Sequence, residues 1–135
     1  MAQETTSGPR VFVIDDDAFL LDMYALKFTQ KDFKVTTSSG TLEALEKLRG
    51  GYTPDIIVVD LVMPAMDGFE FLETVKNESL AKGALVIILS NLGQQEDIDR
   101  GLALGAAGYI IKASATPSEV VEKVLEVLQK HKAKK

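Results

Sequence analysis

The chain contains no cysteine and no tryptophan, and its single histidine, His131, stands close to the end. Without cysteine there is no disulfide framework, no thiolate nucleophile and no zinc–thiolate site. Long apolar runs are missing too. No stretch approaches membrane-spanning length, and the opening Met1 to Arg10 is polar rather than signal-like, so the expectation is a soluble, cytoplasmic protein with no membrane partner. Positive charge is in deficit, with a formal net charge of −5. No basic face offsets phosphate charge, which argues against nucleic-acid binding by this domain. Nor does a glycine-rich loop follow the first apolar run, and this disfavours nucleotide or flavin binding.

What is present reads as one globular domain: 135 residues, 46% hydrophobic and 26% charged. Residues 1–9 lack periodicity and form a flexible lead, the domain occupies 10–130, and 131–135 is a basic tail. Five apolar runs alternate with five helical patterns. Val11–Ile14, Ile56–Val59 and Ala84–Leu89 are uniformly apolar, as in strands buried on both faces. Phe33, Val35 and Thr37 alternate with polar residues, the mark of an edge strand, and Tyr109–Ile111 is the fifth strand. The helical stripes are Leu21, Tyr24, Ala25 and Phe28; then Leu42, Leu45 and Leu48; then Phe71, Leu72 and Val75; then Ile98, Gly101, Leu102 and Gly105; and lastly Val121, Val124, Leu125 and Leu128. Thr116-Pro117-Ser118-Glu119 has the form of a capping box that starts the last helix. Val120 and Val127 widen that helix's stripe beyond its core face, where a partner or a second copy could sit.

Strands alternating with helices imply a parallel sheet covered on both faces. With the polar second strand at an edge and strands 1, 3 and 4 central, the expected fold is α/β: a doubly wound, flavodoxin-like (βα)5 arrangement with strand order 2-1-3-4-5. Its switch point falls between strands 1 and 3. There the Asp15-Asp16-Asp17 run and Asp60, which ends the third strand, meet in one crevice. Ser90 ends strand 4 and Lys112 ends strand 5. Crowded carboxylates repel one another unless a cation or shared protons intervene. Oxygen-only ligands suit a hard ion, Mg²⁺ or Mn²⁺. A carboxylate beside such an ion is a nucleophile towards phosphorus, and Ser90 and Lys112 supply donors for phosphoryl oxygens. Singly, each residue has a plainer reading: a helix-end charge cluster, a turn hydroxyl, a solvated lysine. Their joint occurrence at four strand ends carries the argument.

The set Val13-Ile-Asp15-Asp16, Val59-Asp60-Leu-Val-Met-Pro64, Met66-Asp67-Gly68, Leu89-Ser90 and Gly108-Tyr109-Ile-Ile-Lys112 resembles, in this order, the receiver domain of two-component response regulators. The likeness spans nearly all of residues 10–130 and is of the single-domain, chemotaxis type, whether the chain stands alone or is part of a longer protein. It implies that Asp60 is the phosphoacceptor, and that Mg²⁺ is held by Asp16 directly, by Asp15 through water, by Asp60 and by the backbone carbonyl of Val62. Ser90 would bond the phosphoryl group, Lys112 would pair with it, and Tyr109 matches an aromatic switch position. The donor would be a sensor histidine kinase or a histidine phosphotransfer protein, and the output a reshaped face of helix 4, strand 5 and helix 5 for a downstream protein. The chain would catalyse only its own phosphoryl transfer and dephosphorylation, and so would not be an enzyme in the ordinary sense. His131, near the tail, is a poor internal donor.

Three positions depart from the pattern. Ala113 follows Lys112 where receivers usually have proline, often after a cis bond. Asn91 follows Ser90 where a small residue is common, which alters access to the phosphoryl group. Val62 puts an apolar side chain near the path of attacking water, where it would slow hydrolysis. Val62 also stands where an aspartate phosphatase of the haloacid-dehalogenase kind needs its second Asp. The more serious alternative is a receiver-like interaction module that works without phosphorylation.

Overall fold

The computed structural model describes residues 8–133. The expected flexible lead therefore lies outside the described residues at 1–7, as does the end of the expected tail at 134–135. The elements are β1 (Arg10–Ile14), α1 (Ala18–Gln30), β2 (Lys34–Ser38), α2 (Thr41–Arg49), β3 (Ile56–Val59), α3 (Gly68–Asn77), β4 (Leu85–Ser90), α4 (Gln95–Ala103), β5 (Gly108–Ile111) and α5 (Pro117–Ala133), with a 3-10 turn at Lys112–Ser114. The five strands form one parallel sheet in the order β2-β1-β3-β4-β5, as expected.

Strand residues point alternately to the two faces of a sheet, so each apolar run feeds two cores. Phe12, Ile14, Ile57, Val59 and Ile88 join Ala44, Leu45 and Leu48 of α2 and Phe71, Leu72 and Val75 of α3. Val11, Val13, Ile56, Val58, Ile87 and Leu89 join Leu21, Tyr24 and Phe28 of α1 and Val120, Val121 and Val124 of α5. The central strands are buried on both sides, which is why they read as uninterrupted apolar runs. Helix α4 is held beside α3 by Arg100, whose guanidinium lies 4.1 Å from the centroid of the Phe69 ring.

Three readings of the helices need correction. Leu42 is exposed (53%); the inward stripe of α2 is Thr41, Ala44, Leu45 and Leu48, and Leu42 falls one step round the helix from it. Leu102 is exposed for the same reason, because the side of α4 set against the sheet is centred on Gly101. Val120 is fully buried rather than outward-facing, since α5 packs against both the sheet and α1. The last helix runs through Ala133, so the first part of the basic tail, 131–133, continues it as a helix terminus.

Candidate functional site

The site forms where β1 and β3, neighbours in the sheet, release their chains at the same level. The Asp15 amide still bonds to the Ser38 carbonyl (3.1 Å) and the Asp60 amide to the Ile14 carbonyl (3.1 Å), so the ladder fixes both residues to the strand ends. The acidic run then divides by role. Asp17 caps α1, its side chain accepting from the Leu20 amide at 3.1 Å. Asp15 is buried, with Oδ1 accepting from the Asp17 amide at 2.9 Å, and Asp16 is exposed at the rim. Carboxylate oxygens of Asp15, Asp16 and Asp60 lie within 4.8 Å of one another.

Lys112 reaches into this cluster from the end of β5. Its ammonium nitrogen donates to Asp60 Oδ2 at 2.7 Å and lies 2.8 Å from Asp15 Oδ2. The second contact is an ion pair without hydrogen-bond alignment, which leaves Asp15 Oδ2 buried with no hydrogen-bond partner. Burial pushes the Asp15 carboxyl above its ordinary range, against the opposing pull of Lys112 and the Asp17 amide. Burial works against the charged form of Lys112, but its two carboxylate partners prevail and hold the ammonium well above the usual lysine range. The remaining Asp60 oxygen, Oδ1, accepts from the Val62 amide at 3.1 Å, while the Val62 side chain is exposed.

Gly68 lets α3 close on this loop. A Cβ there would lie 2.4 Å from the Asp60 carbonyl oxygen and 2.7 Å from Leu61 Cα, closer than real contacts allow. Asp67 caps the helix in a full capping box with Glu70. Just before it, the Met66 amide bonds to the Pro64 carbonyl (2.9 Å) around Ala65, whose φ is +70°. This is a γ-turn of the rarer, strained hand.

Ser90 is fully buried, and its Oγ accepts from the Leu92 amide at 3.3 Å. The Tyr109 hydroxyl donates to the Leu92 carbonyl, and its half-buried ring packs beside Gly101. The Asn91 Oδ1 accepts from the Ala113 amide at 2.8 Å. No peptide bond among the described residues is cis, yet Lys112 still reaches both aspartates, so the missing proline does not withdraw the lysine. The structure thus brings Asp15, Asp16, Asp60 and Lys112 together, sets Val62 beside them, and links Ser90 with Tyr109 nearby. Sequence reasoning missed the Asn91–Ala113 contact and the role of Leu92. The contacts of Asn91 with Ala113 and of Leu92 with Tyr109 leave no spacing signal, because they form only once β4 and β5 have paired.

The donor set suits a hard divalent cation: three carboxylates, no nitrogen or sulfur, and one buried oxygen without a hydrogen bond. In the sheet, the cluster occupies the place where open α/β folds bind ligands.

A family model described as the response regulator receiver domain matches residues 11–125. The chain is 30% identical over 121 residues to the phosphate regulon transcriptional regulatory protein PhoB of Escherichia coli, a match covering 90% of this chain and 52% of that protein. The chain therefore spans about half the length of the first curated relatives it matches. Against the chemotaxis protein CheY of Halobacterium salinarum, identity is 30% over 120 residues, covering 88% of this chain and 96% of that protein. The solved structure of a CheY-like receiver domain protein from Methanospirillum hungatei superposes with a TM-score of 0.83 at 25% identity, covering 96% of this chain and all of that one. The chemotaxis response regulator CheY4 of Vibrio cholerae gives 0.81 at 27% identity, covering 90% of this chain and 99% of that one.

Proposed function

Because the chain belongs to the response regulator receiver domain family and is thus a receiver of two-component signalling, we propose that it takes a phosphoryl group onto Asp60 from a phosphohistidine donor. The donor is a sensor histidine kinase or a histidine phosphotransfer protein in the cytoplasm. The observation that carries this reading is the convergence of Asp15, Asp16 and Asp60 within 4.8 Å, with Lys112 bonded to Asp60.

A carboxylate oxygen of Asp60 forms the new bond to phosphorus as the phosphorus–nitrogen bond to the donor imidazole breaks, and the leaving nitrogen keeps the electron pair. Asp15, Asp16, Asp60 and the Val62 carbonyl would hold Mg²⁺, which when bound neutralises carboxylate charge and polarises a phosphoryl oxygen. Lys112 takes up charge on the transferred group, and Ser90 gives up the Leu92 amide to donate to it. Positioning and electrostatics supply most of the rate, as in phosphoryl transfer generally. The chain acts on itself alone, catalysing its own phosphorylation and the later hydrolysis, and turns over no separate substrate. Added charge at Asp60 shifts the population towards a conformer in which the Ser90 loop closes and the α4–β5–α5 face is reshaped for a downstream protein.

Intact-mass spectrometry after incubation with a small phosphodonor and Mg²⁺ tests the proposal. A single phosphoryl adduct that needs Mg²⁺ and is lost in Asp60→Asn is the expected result. No adduct, together with no Mg²⁺-dependent beryllofluoride binding, would overturn it and favour an interaction module that works without phosphorylation.

A further inference from the structure

The first amides of a 3-10 turn have no acceptor within the turn, and they must find one elsewhere. In the turn Lys112–Ser114 the Ala113 amide finds Asn91 Oδ1, 22 residues back along the chain, at 2.8 Å. The contact requires an N–H at position 113, which alanine has and proline lacks. It also spans the two loops that carry the reactive groups, because Asn91 adjoins Ser90 and Ala113 adjoins Lys112. On its strand side, Lys112 is anchored by the pairing of Ile111 with Ser90. On its other side, the Asn91 bond fixes the next peptide. Between these two anchors the lysine side chain reaches 2.7 Å from Asp60 and 2.8 Å from Asp15.

We propose that Asn91 is a positioning residue for Lys112: its carboxamide oxygen holds the Lys112–Ala113 peptide in the orientation that keeps the ammonium on Asp60. The inference rests on the receiver reading above. It assigns Asn91 to the lysine loop rather than to the phosphodonor, and it treats Asn91 and Ala113 as one device standing where proline usually follows the lysine.

The test is a double-mutant cycle on the rate of Mg²⁺-dependent adduct formation with phosphoramidate, read by intact mass. Asn91→Ala is expected to slow the native chain by about fivefold, the size of one net hydrogen bond. In a Lys112→Ala background the same substitution is expected to change the rate by less than about twofold, because its effect runs through the lysine. Lys112→Gln serves as the background if Lys112→Ala does not fold. Exchange of the Ala113 amide, followed by NMR, should accelerate in Asn91→Ala. An equal slowing in both backgrounds would mean that Asn91 acts on the donor directly, and an unchanged rate in the single variant would mean that it positions nothing; either overturns the proposal. A native chain that forms no adduct at all is a different failure, which removes the receiver chemistry and this inference with it.

Discussion

Ser90 and Tyr109 meet on one residue, Leu92, whose amide donates to Ser90 Oγ and whose carbonyl accepts from the Tyr109 hydroxyl. Movement of the serine hydroxyl towards a group on Asp60 would free the Leu92 amide, on the same residue whose carbonyl anchors the tyrosine. Tyr109→Phe removes one donor from a half-buried carbonyl. It should cost ~1 kcal/mol in urea unfolding. Mg²⁺-dependent beryllofluoride affinity, measured by calorimetry, should rise by up to about fivefold, because the serine's movement no longer works against the tyrosine's anchor.

Lys112→Ala leaves Asp15 and Asp60 close together without their ammonium. Breaking a buried pair from one side is costly, and a loss of ~3 kcal/mol is expected in unfolding experiments without divalent cation. Added Mg²⁺ should recover more stability in this variant than in the native chain. An equal recovery in both would show that the ammonium does not offset the carboxylates.

The same pair fixes a pH dependence. Asp15 titrates above its ordinary 3.8 in the folded chain, so the folded state holds a proton that the unfolded state has already released. Stability contributed by this group therefore falls as pH rises from about 3.8 through the raised folded value. Removing Lys112 strengthens that trend, because one of the pulls that lower the Asp15 value is gone. The stability gap between native chain and Lys112→Ala should widen as pH rises through the Asp15 titration, measured by urea unfolding over a pH series. A gap that does not change with pH would contradict the assignment.

Mg²⁺ should raise the melting temperature of the native chain. A hundredfold excess over the dissociation constant corresponds to about 2.7 kcal/mol. Asp16→Asn removes a rim carboxylate that caps no helix, so it should weaken this response with little change in stability in EDTA. Scanning calorimetry with and without the ion separates the two effects.

Ala65 sits at φ +70° in an exposed turn. That conformation costs an L-residue more than it costs glycine, and the saving exceeds the extra freedom glycine gains when unfolded. Ala65→Gly should therefore stabilise the chain by ~0.5 kcal/mol, visible as a higher urea midpoint at unchanged slope.

Val62 presents an exposed apolar side chain two residues beyond Asp60. Val62→Asn should shorten the lifetime of the aspartyl phosphate severalfold, as followed by decay of the mass adduct. An unchanged lifetime would show that the valine does not obstruct water.

Much of this was legible from residue type alone. Four consecutive apolar residues before Asp60 mark a strand buried on two faces, and topology then dictates that Asp15 and Asp60 emerge together. The helical stripes are harder to place where small residues face inward. On α2 the inward positions include Thr41 and Ala44, small residues that a search for large apolar side chains passes over in favour of the exposed Leu42. The burial of Val120 depends on the groove between the sheet and α1, whose width is not written in the periodicity of α5. The Asn91 contact and the Ala65 turn depend on how loops fold over a finished sheet, and no local pattern encodes them.

The clustering of Asp15, Asp16, Asp60 and Lys112 also sets a valence rule. With all groups ionised, three carboxylates and one ammonium leave two formal negative charges, which one doubly charged ion cancels. Sodium or potassium would leave the pocket half-compensated, and a lanthanide would overshoot it. Charge count thus screens ions by class before size or coordination number is consulted, and discrimination between magnesium and calcium falls to the geometry of the oxygens alone.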